Sequence, residues 1–246
     1  MSHYENAWQA VMQRIAAAAR DAGRTAADVR LLAVSKTFAA EAVRAVYACG
    51  QRAFGENYVQ EAAAKQALLE DLPGIEWKLI GPLQSNKTTI AAGLFDAVET
   101  VDDLRIARRL AAARAAAATP LRVLVQVNIS GEASKSGVRV DEALPLAREV
   151  ARLPGLALDG FMGIAAPDAG ADAQRLQFCA LRQCFERAID AGLAVNTLSM
   201  GMSGDLELAI AEGATEVRIG SALFGVRPPR VASSAAGDGD KGDQHA

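Results

Sequence analysis

Lys36 ends the apolar run Leu31-Leu32-Ala33-Val34-Ser35-Lys36. A short aliphatic segment of this kind is expected to form a buried strand. An ammonium group at its tip is costly unless it is paired or reactive, because desolvation disfavours the charged form. The chain has six lysines against twenty arginines. A lysine kept at this place therefore points to amine chemistry that a guanidinium cannot perform. The plainer alternative is a lysine head that reaches solvent at the strand's mouth. Arg218 is unusual for a different reason: it interrupts Thr215-Glu216-Val217-Arg218-Ile219, a short segment read as the last strand. A guanidinium there needs an acceptor, either a ligand or a carboxylate such as Glu216 or Asp205. Two nearby stretches, Ser199-Met200-Gly201-Met202-Ser203 and Arg218-Ile219-Gly220-Ser221, have the make-up of anion-binding loops. Gly201, Gly204 and Gly220 allow close backbone approach, and Ser203 and Ser221 add hydroxyl donors. The competing reading makes them ordinary turn and cap residues, with Ser203 as the N-cap of a helix over 205–212.

These groups can meet only if the elements that carry them converge. Residues 4–22 have the pattern of an opening amphipathic helix ended near Gly23. Strand-like runs follow at 31–35, 52–54, 76–80, 95–98, 121–128, 156–161, 196–200 and 215–219. Helical stretches lie between them at 39–49, 56–70, 84–92, 102–117, 140–152, 172–191 and 204–212, with stops expected at Gly50, Gly93, Gly192 and Gly213. Eight alternating units predict an α/β fold, a parallel (β/α)8 TIM barrel. A doubly wound open sheet is the rival, disfavoured because no Gly-x-Gly-x-x-Gly follows the first strand. In a barrel, the residues at the C-terminal strand ends share one face, and the loops after strands seven and eight often bind phosphate. Phe54-Gly55-Glu56-Asn57 ends strand two, Gly81 to Lys87 follows strand three, and Asn128 to Gly137 follows strand five. Trp77 and Phe161 read as packing residues. A single domain over 1–228 is expected, with a disordered polar tail over 229–246.

Composition removes several function classes. The chain has 246 residues, 51% of them hydrophobic, and a net charge of −3. That gives no electrostatic footprint for nucleic acid or acidic membranes. The two histidines, His3 and His245, lie near the ends, which argues against imidazole acid–base schemes, triads and His-ligated zinc. Cys49, Cys179 and Cys184 lack metal-ligand spacing and read as reduced thiols. No secretory signal or spanning segment is visible, so a soluble, cytoplasmic protein is expected; a monomer is a separate expectation. A reactive lysine, a phosphate cradle and a nearby arginine together suit a carbonyl compound that bears a phosphate. Pyridoxal 5'-phosphate is one such compound, and a phosphosugar aldehyde, as in Schiff-base aldolases, is another.

The motifs Val34-Ser35-Lys36-Thr37, Phe54 to Glu61, Ile80 to Lys87, Ser199 to Ser203 and Val217 to Gly225 resemble, in order and in register, those of the YggS/PROSC pyridoxal phosphate homeostasis proteins. The resemblance runs from about residue 5 to 228. It implies a barrel like the N-terminal domain of alanine racemase (fold type III), with pyridoxal phosphate as an internal aldimine on Lys36. It further implies that Arg218 faces the pyridine nitrogen, that Ser203, Gly220 and Ser221 hold the phosphate, and that Asn57 lines the pocket. Lys78, Phe38-Ala39 and Gly204 depart from the usual pattern, none of them expected to touch Lys36 or Arg218. Lys135 and Lys87 are left as candidates for a second cofactor contact.

The resemblance favours a carrier that buffers the cofactor or passes it to apo-enzymes over an enzyme with turnover. A permanent cation at the ring nitrogen disfavours its protonation and weakens the ring as an electron sink. Tyr4 and Tyr47 lie on helices remote from the strand ends, and Tyr58 is expected to pack. An amino-acid racemase or lyase of weak activity, and a cofactor-free Schiff-base aldolase, are the alternatives.

Overall fold

A computed structural model describes residues 2–226, and the segment expected to be a disordered tail lies outside them. Eight strands form the centre: β1 (Arg30–Val34), β2 (Ala53–Glu56), β3 (Glu76–Leu79), β4 (Ala97–Val101), β5 (Leu121–Val127), β6 (Leu156–Gly163), β7 (Thr197–Ser199) and β8 (Glu216–Ile219). Each pairs in parallel with the next, and β1 pairs with β8 as well as β2, so the sheet closes into a barrel. That closure excludes the open doubly wound sheet. Around it run α1 (His3–Asp21), α2 (Ala40–Ala48), α3 (Val59–Ala67), α4 (Thr88–Leu94), α5 (Leu104–Arg114), α6 (Ala143–Ala151), α7 (Ala171–Asp190), α8 (Leu206–Ala211) and α9 (Ser221–Phe224).

The strands are buried on both faces, which is why they read as near-continuous aliphatic runs rather than alternating ones. Their outer faces pack on the helices. Phe161 and Phe178 are fully buried, and Trp77 lies against Phe54 with ring centroids 5.8 Å apart, as packing residues should. The opening helix starts from a capping box between Ser2 and Glu5. Its Arg14 grips Glu207 of α8 and donates to the Ser203 carbonyl at 3.1 Å, bracing the loop after β7. Gly160, at φ +152°, permits the irregular register where β6 meets its neighbours, since a Cβ there would fall 1.8 Å from the Thr197 carbonyl oxygen.

Three expectations need correction, and one short helix was not foreseen. Strand four does not stop at 98; β4 continues through Glu99 and Thr100 to Val101. Gly93 ends nothing, because α4 runs on to Leu94. Ser203 does not cap α8; Asp205 holds the N-cap position, and its Oδ1 accepts from Met202 N at 2.5 Å. The four-residue α9 was too short to carry a helical period. Among the described residues, no helix is long and apolar enough to cross a membrane.

Candidate functional site

The C-terminal strand ends enclose a cavity of about 380 Å³, within the range of small-molecule sites. Lys36, Asn57, Ser203, Arg218, Gly220 and Ser221 all line it. Each arrives from a different part of the sequence: Lys36 two residues beyond β1, Asn57 at the end of β2, Ser203 in the loop after β7, and the last three from β8 and the turn into α9. Ser203 Oγ accepts from Ala222 N at 3.4 Å, so the loops after β7 and β8 meet at this hydroxyl. Asn57 is brought in by Gly81, where a Cβ would sit 2.3 Å from the Asn57 carbonyl oxygen; only glycine lets these two loops close together.

Lys135 and Ser136, from the long loop after β5, line the same cavity, whereas Lys87 is on a short 3-10 turn and is not among its lining residues. Thr100, Gln126 and Ile164 complete walls that the sequence did not reveal. Thr100 could have been found had strand four been extended past the carboxylate of Glu99. The loop after β5 is itself tied down. Asn128 Nδ2 donates to the Glu132 and Lys135 carbonyls, and Gly137 N donates to Asp102 Oδ2 at 3.1 Å. Tyr58 does not pack as expected but is 45% exposed, while Tyr47 donates its hydroxyl to the Pro73 carbonyl away from the cavity.

Arg218 is buried, and its guanidinium donates to Ser199 Oγ and to the Gly163 carbonyl, both at 2.8 Å. The carboxylates considered as its partners are engaged elsewhere: Glu216 accepts from Lys78 Nζ at 2.5 Å, and Asp205 takes the Met202 N–H. Their charges still act on it. Burial pulls the Arg218 pKa down, and Glu99, Glu216 and Asp205 oppose that. Ser199 in turn donates to Glu99 Oε2 at 2.7 Å.

Lys78 joins this network through Glu216 and Glu99 rather than through Arg218 itself. It is 1% exposed, and its ammonium lies between Glu216, Glu99 (3.4 Å) and Glu76 (3.6 Å). Because β3, β4, β7 and β8 surround the barrel axis, side chains from all four can meet only in its interior. Two buried carboxylates beside one lysine cannot both ionise cheaply. Burial and the neighbouring Glu99 charge push Glu216 up to about 8, while Lys78 and the contact with Glu216 outweigh burial and hold Glu99 below its ordinary value. The pair therefore favours a singly protonated state, with Glu216 the more basic of the two.

The residues fit pyridoxal phosphate on observations independent of any relative. Asn57 lines the cavity, and its buried Oδ1 has no hydrogen-bond partner within the protein. Gly220 has an ordinary φ of −111°, and a methyl there would meet only Val34, at 3.5 Å. No backbone requirement explains that glycine, whereas close approach of a ligand to the loop does. The lining offers one primary amine on a strand tip, serine hydroxyls at the β7–β8 seam and one buried cation, the donor set of an anionic aldehyde.

Comparison with known proteins agrees with this architecture. Residues 9–228 match the family of the alanine racemase N-terminal domain. The pyridoxal phosphate homeostasis protein of Pseudomonas aeruginosa is 55% identical over 217 residues, covering 88% of this chain and 93% of that protein. Its Escherichia coli K12 counterpart is 48% identical over 224 residues, covering 88% and 94%. The solved structure of PipY from Synechococcus elongatus, with pyridoxal phosphate bound, superposes with a TM-score of 0.76 at 37% identity, over 86% of this chain and all of that one. Identity at this level over nearly the whole barrel leaves one conclusion: the chain belongs to the pyridoxal phosphate homeostasis protein family, built on the alanine racemase N-terminal barrel.

Proposed function

We propose that this protein holds pyridoxal 5'-phosphate reversibly in the cytoplasm as a monomer, buffering it or delivering it to apo-enzymes. The observation that supports this reading is the convergence of Lys36, Asn57, Ser203, Arg218, Gly220 and Ser221 on one cavity. When bound, the cofactor supplies an aldehyde that condenses reversibly with a primary amine. Lys36 is the amine for that bond. Ser203, Ser221 and the Gly220 backbone would hold the phosphate, Asn57 would line the wall, and Arg218 would donate to the ring nitrogen. A guanidinium does not give up its proton in a protein, so Arg218 keeps a second proton off that nitrogen. A ring left unprotonated assists carbanion formation less, which suits storage better than turnover. The fit of relatives that carry the homeostasis name and of PipY with its bound cofactor supports the same assignment.

The test is covalent. Borohydride treatment of the loaded protein should add one pyridoxyl mass at Lys36, and Lys36→Ala should abolish both that adduct and the associated absorbance. Unchanged trapping in the variant would refute the assignment. Solvent-deuterium exchange at the α-carbon of added amino acids should be absent; Lys36-dependent exchange would replace the carrier by a racemase or lyase, with Lys135 as the second amine in the cavity.

A further inference from the structure

Both peptide groups that flank Lys36 are held by side chains of a single helix. Lys65 and Glu61 sit one turn apart on α3, behind the tip of β1. The Lys65 ammonium donates to the Ser35 carbonyl at 2.8 Å, and that carbonyl belongs to the peptide preceding Lys36. Glu61 Oε1 accepts from Thr37 N at 2.5 Å, and that N–H belongs to the peptide following it. The two side chains are paired with each other at 2.9 Å. Lys65 also donates to Glu56 Oε1 at 2.6 Å, which accepts the Ser35 hydroxyl at the same distance.

This arrangement is expensive for a strand end. Lys65 is 5% exposed and Glu56 fully buried. Thr37 has φ +69°, the one non-glycine position with a positive φ among the described residues. A β-branched residue in that region is an outlier that the surroundings must enforce. Docking of α3 is served by buried Val59 and Ala62 and by the Lys65–Glu56 pair. The bonds to the Ser35 carbonyl and the Thr37 N–H are additional, and they fall on the two peptide planes that set the direction of the Lys36 Cα–Cβ bond.

We propose that Glu61 and Lys65 are positioning residues that clamp the backbone on either side of Lys36 and aim its amine into the cavity. The proposal rests on Lys36 being the cofactor-bearing amine. The Ser35 carbonyl also accepts from Phe38 N at 3.1 Å, which closes a turn about Lys36 and Thr37; with Glu61 removed, that turn loses its side-chain anchor at Thr37 and the aim of Lys36 into the cavity loosens. Misplacement by about 1 Å costs on the order of a hundredfold in comparable settings. Glu61 is 28% exposed on its side chain, and its loss leaves the Lys65–Glu56 pair standing, so the fold survives the substitution.

The experiment measures pyridoxal phosphate retention by absorbance titration, the pyridoxyl adduct at Lys36 by mass, and hydrogen exchange at the Thr37 amide. Glu61→Ala should weaken retention by about tenfold or more and speed Thr37 exchange. Glu61→Gln keeps an acceptor for that amide and should stay within about threefold of the wild type. The double variant Glu61→Ala/Thr37→Gly should recover to the same range, because glycine adopts φ +69° without the enforced strain. A merely structural role predicts no such rescue. Wild-type retention in Glu61→Ala, a tenfold loss in Glu61→Gln, or failure of the glycine to restore binding would each overturn the clamp. Failure of the wild-type protein to form the adduct at Lys36 would instead bring down the cofactor reading, and the clamp with it.

Discussion

Lys65 and Lys78 are the two lysines buried among the described residues, and their surroundings differ in kind. Lys65, at the strand tips, spends its donors on one peptide carbonyl and two carboxylates, one of which reaches water. Lys78, inside the barrel, is surrounded by carboxylates from β3, β4 and β8. Burial pulls the Lys78 ammonium down, but Glu99, Glu216 and Glu76 outweigh it and leave its pKa raised. At the mouth, charge is used to hold backbone in a shape it would not choose. In the interior, charge is used against other charge, and it fixes which groups beneath Arg218 are ionised. The same ammonium therefore does mechanical work at one end and electrostatic work at the other.

Three substitutions separate these roles. Removing the ammonium by Lys78→Met should have the largest effect, about 3–5 kcal/mol at neutral pH by urea denaturation, because it strands a buried carboxylate. The loss should shrink towards pH 5, where Glu99 and Glu216 can both take protons. A loss of constant size across that range would show that packing, not charge, is what Lys78 supplies. Lys65→Met should cost less, about 2–3 kcal/mol, since Glu61 can turn to water and only Glu56 is left unpaired in the interior. Burial already pushes the Glu56 carboxyl up, against Lys65 and Ser35, so it protonates readily once alone. An equal cost at both lysines would erase the contrast.

Glu216→Gln should have the smallest effect of the three near pH 5 and the clearest dependence on pH. The folded state keeps a proton on Glu216 up to about pH 8, whereas the unfolded chain loses it near 4.5. The stabilisation is complete below 4.5 and declines as pH rises towards 8, with a limiting slope of about 1.4 kcal/mol per unit. The charged neighbours that set this window are Arg30 on β1, Glu76 and Lys78 on β3, Glu99 on β4 and Arg218 on β8. Glutamine mimics the protonated acid, so the variant should lose that decline while changing little near pH 5. A wild-type stability that rises from pH 5 to 8 would contradict the protonated Glu216.

Most of the barrel was legible before the coordinates, and so was the cavity's outline. The eight aliphatic runs became eight strands within a few residues, because a parallel strand covered on both faces must be apolar almost throughout. The six residues expected at the cofactor all line one cavity, since strand order alone puts every strand end on the same face. Legibility failed where an interior position breaks that pattern. Glu99 ended strand four early because a carboxylate does not look like core, and its partners lie 21 and 100 residues away at Lys78 and Ser199. Glu61 and Lys65 lie four residues apart on α3, a spacing that implies no more than a local ion pair. Nothing local shows that the pair reaches back to Ser35 and Thr37.

The amino-acid sequence by itself determined the alternation of strands and helices, the barrel and the placing of a lysine at the cavity's edge, because these follow from periodicity and from that lysine's place after a strand. Tertiary structure decided what surrounds each charge: which carboxylate keeps a proton, which carbonyl holds Arg218, and which helix grips the peptides beside Lys36. Those outcomes depend on distances of a few ångströms between residues far apart in the chain. Electrostatic and hydrogen-bond energies fall off over such distances, and no local pattern encodes them.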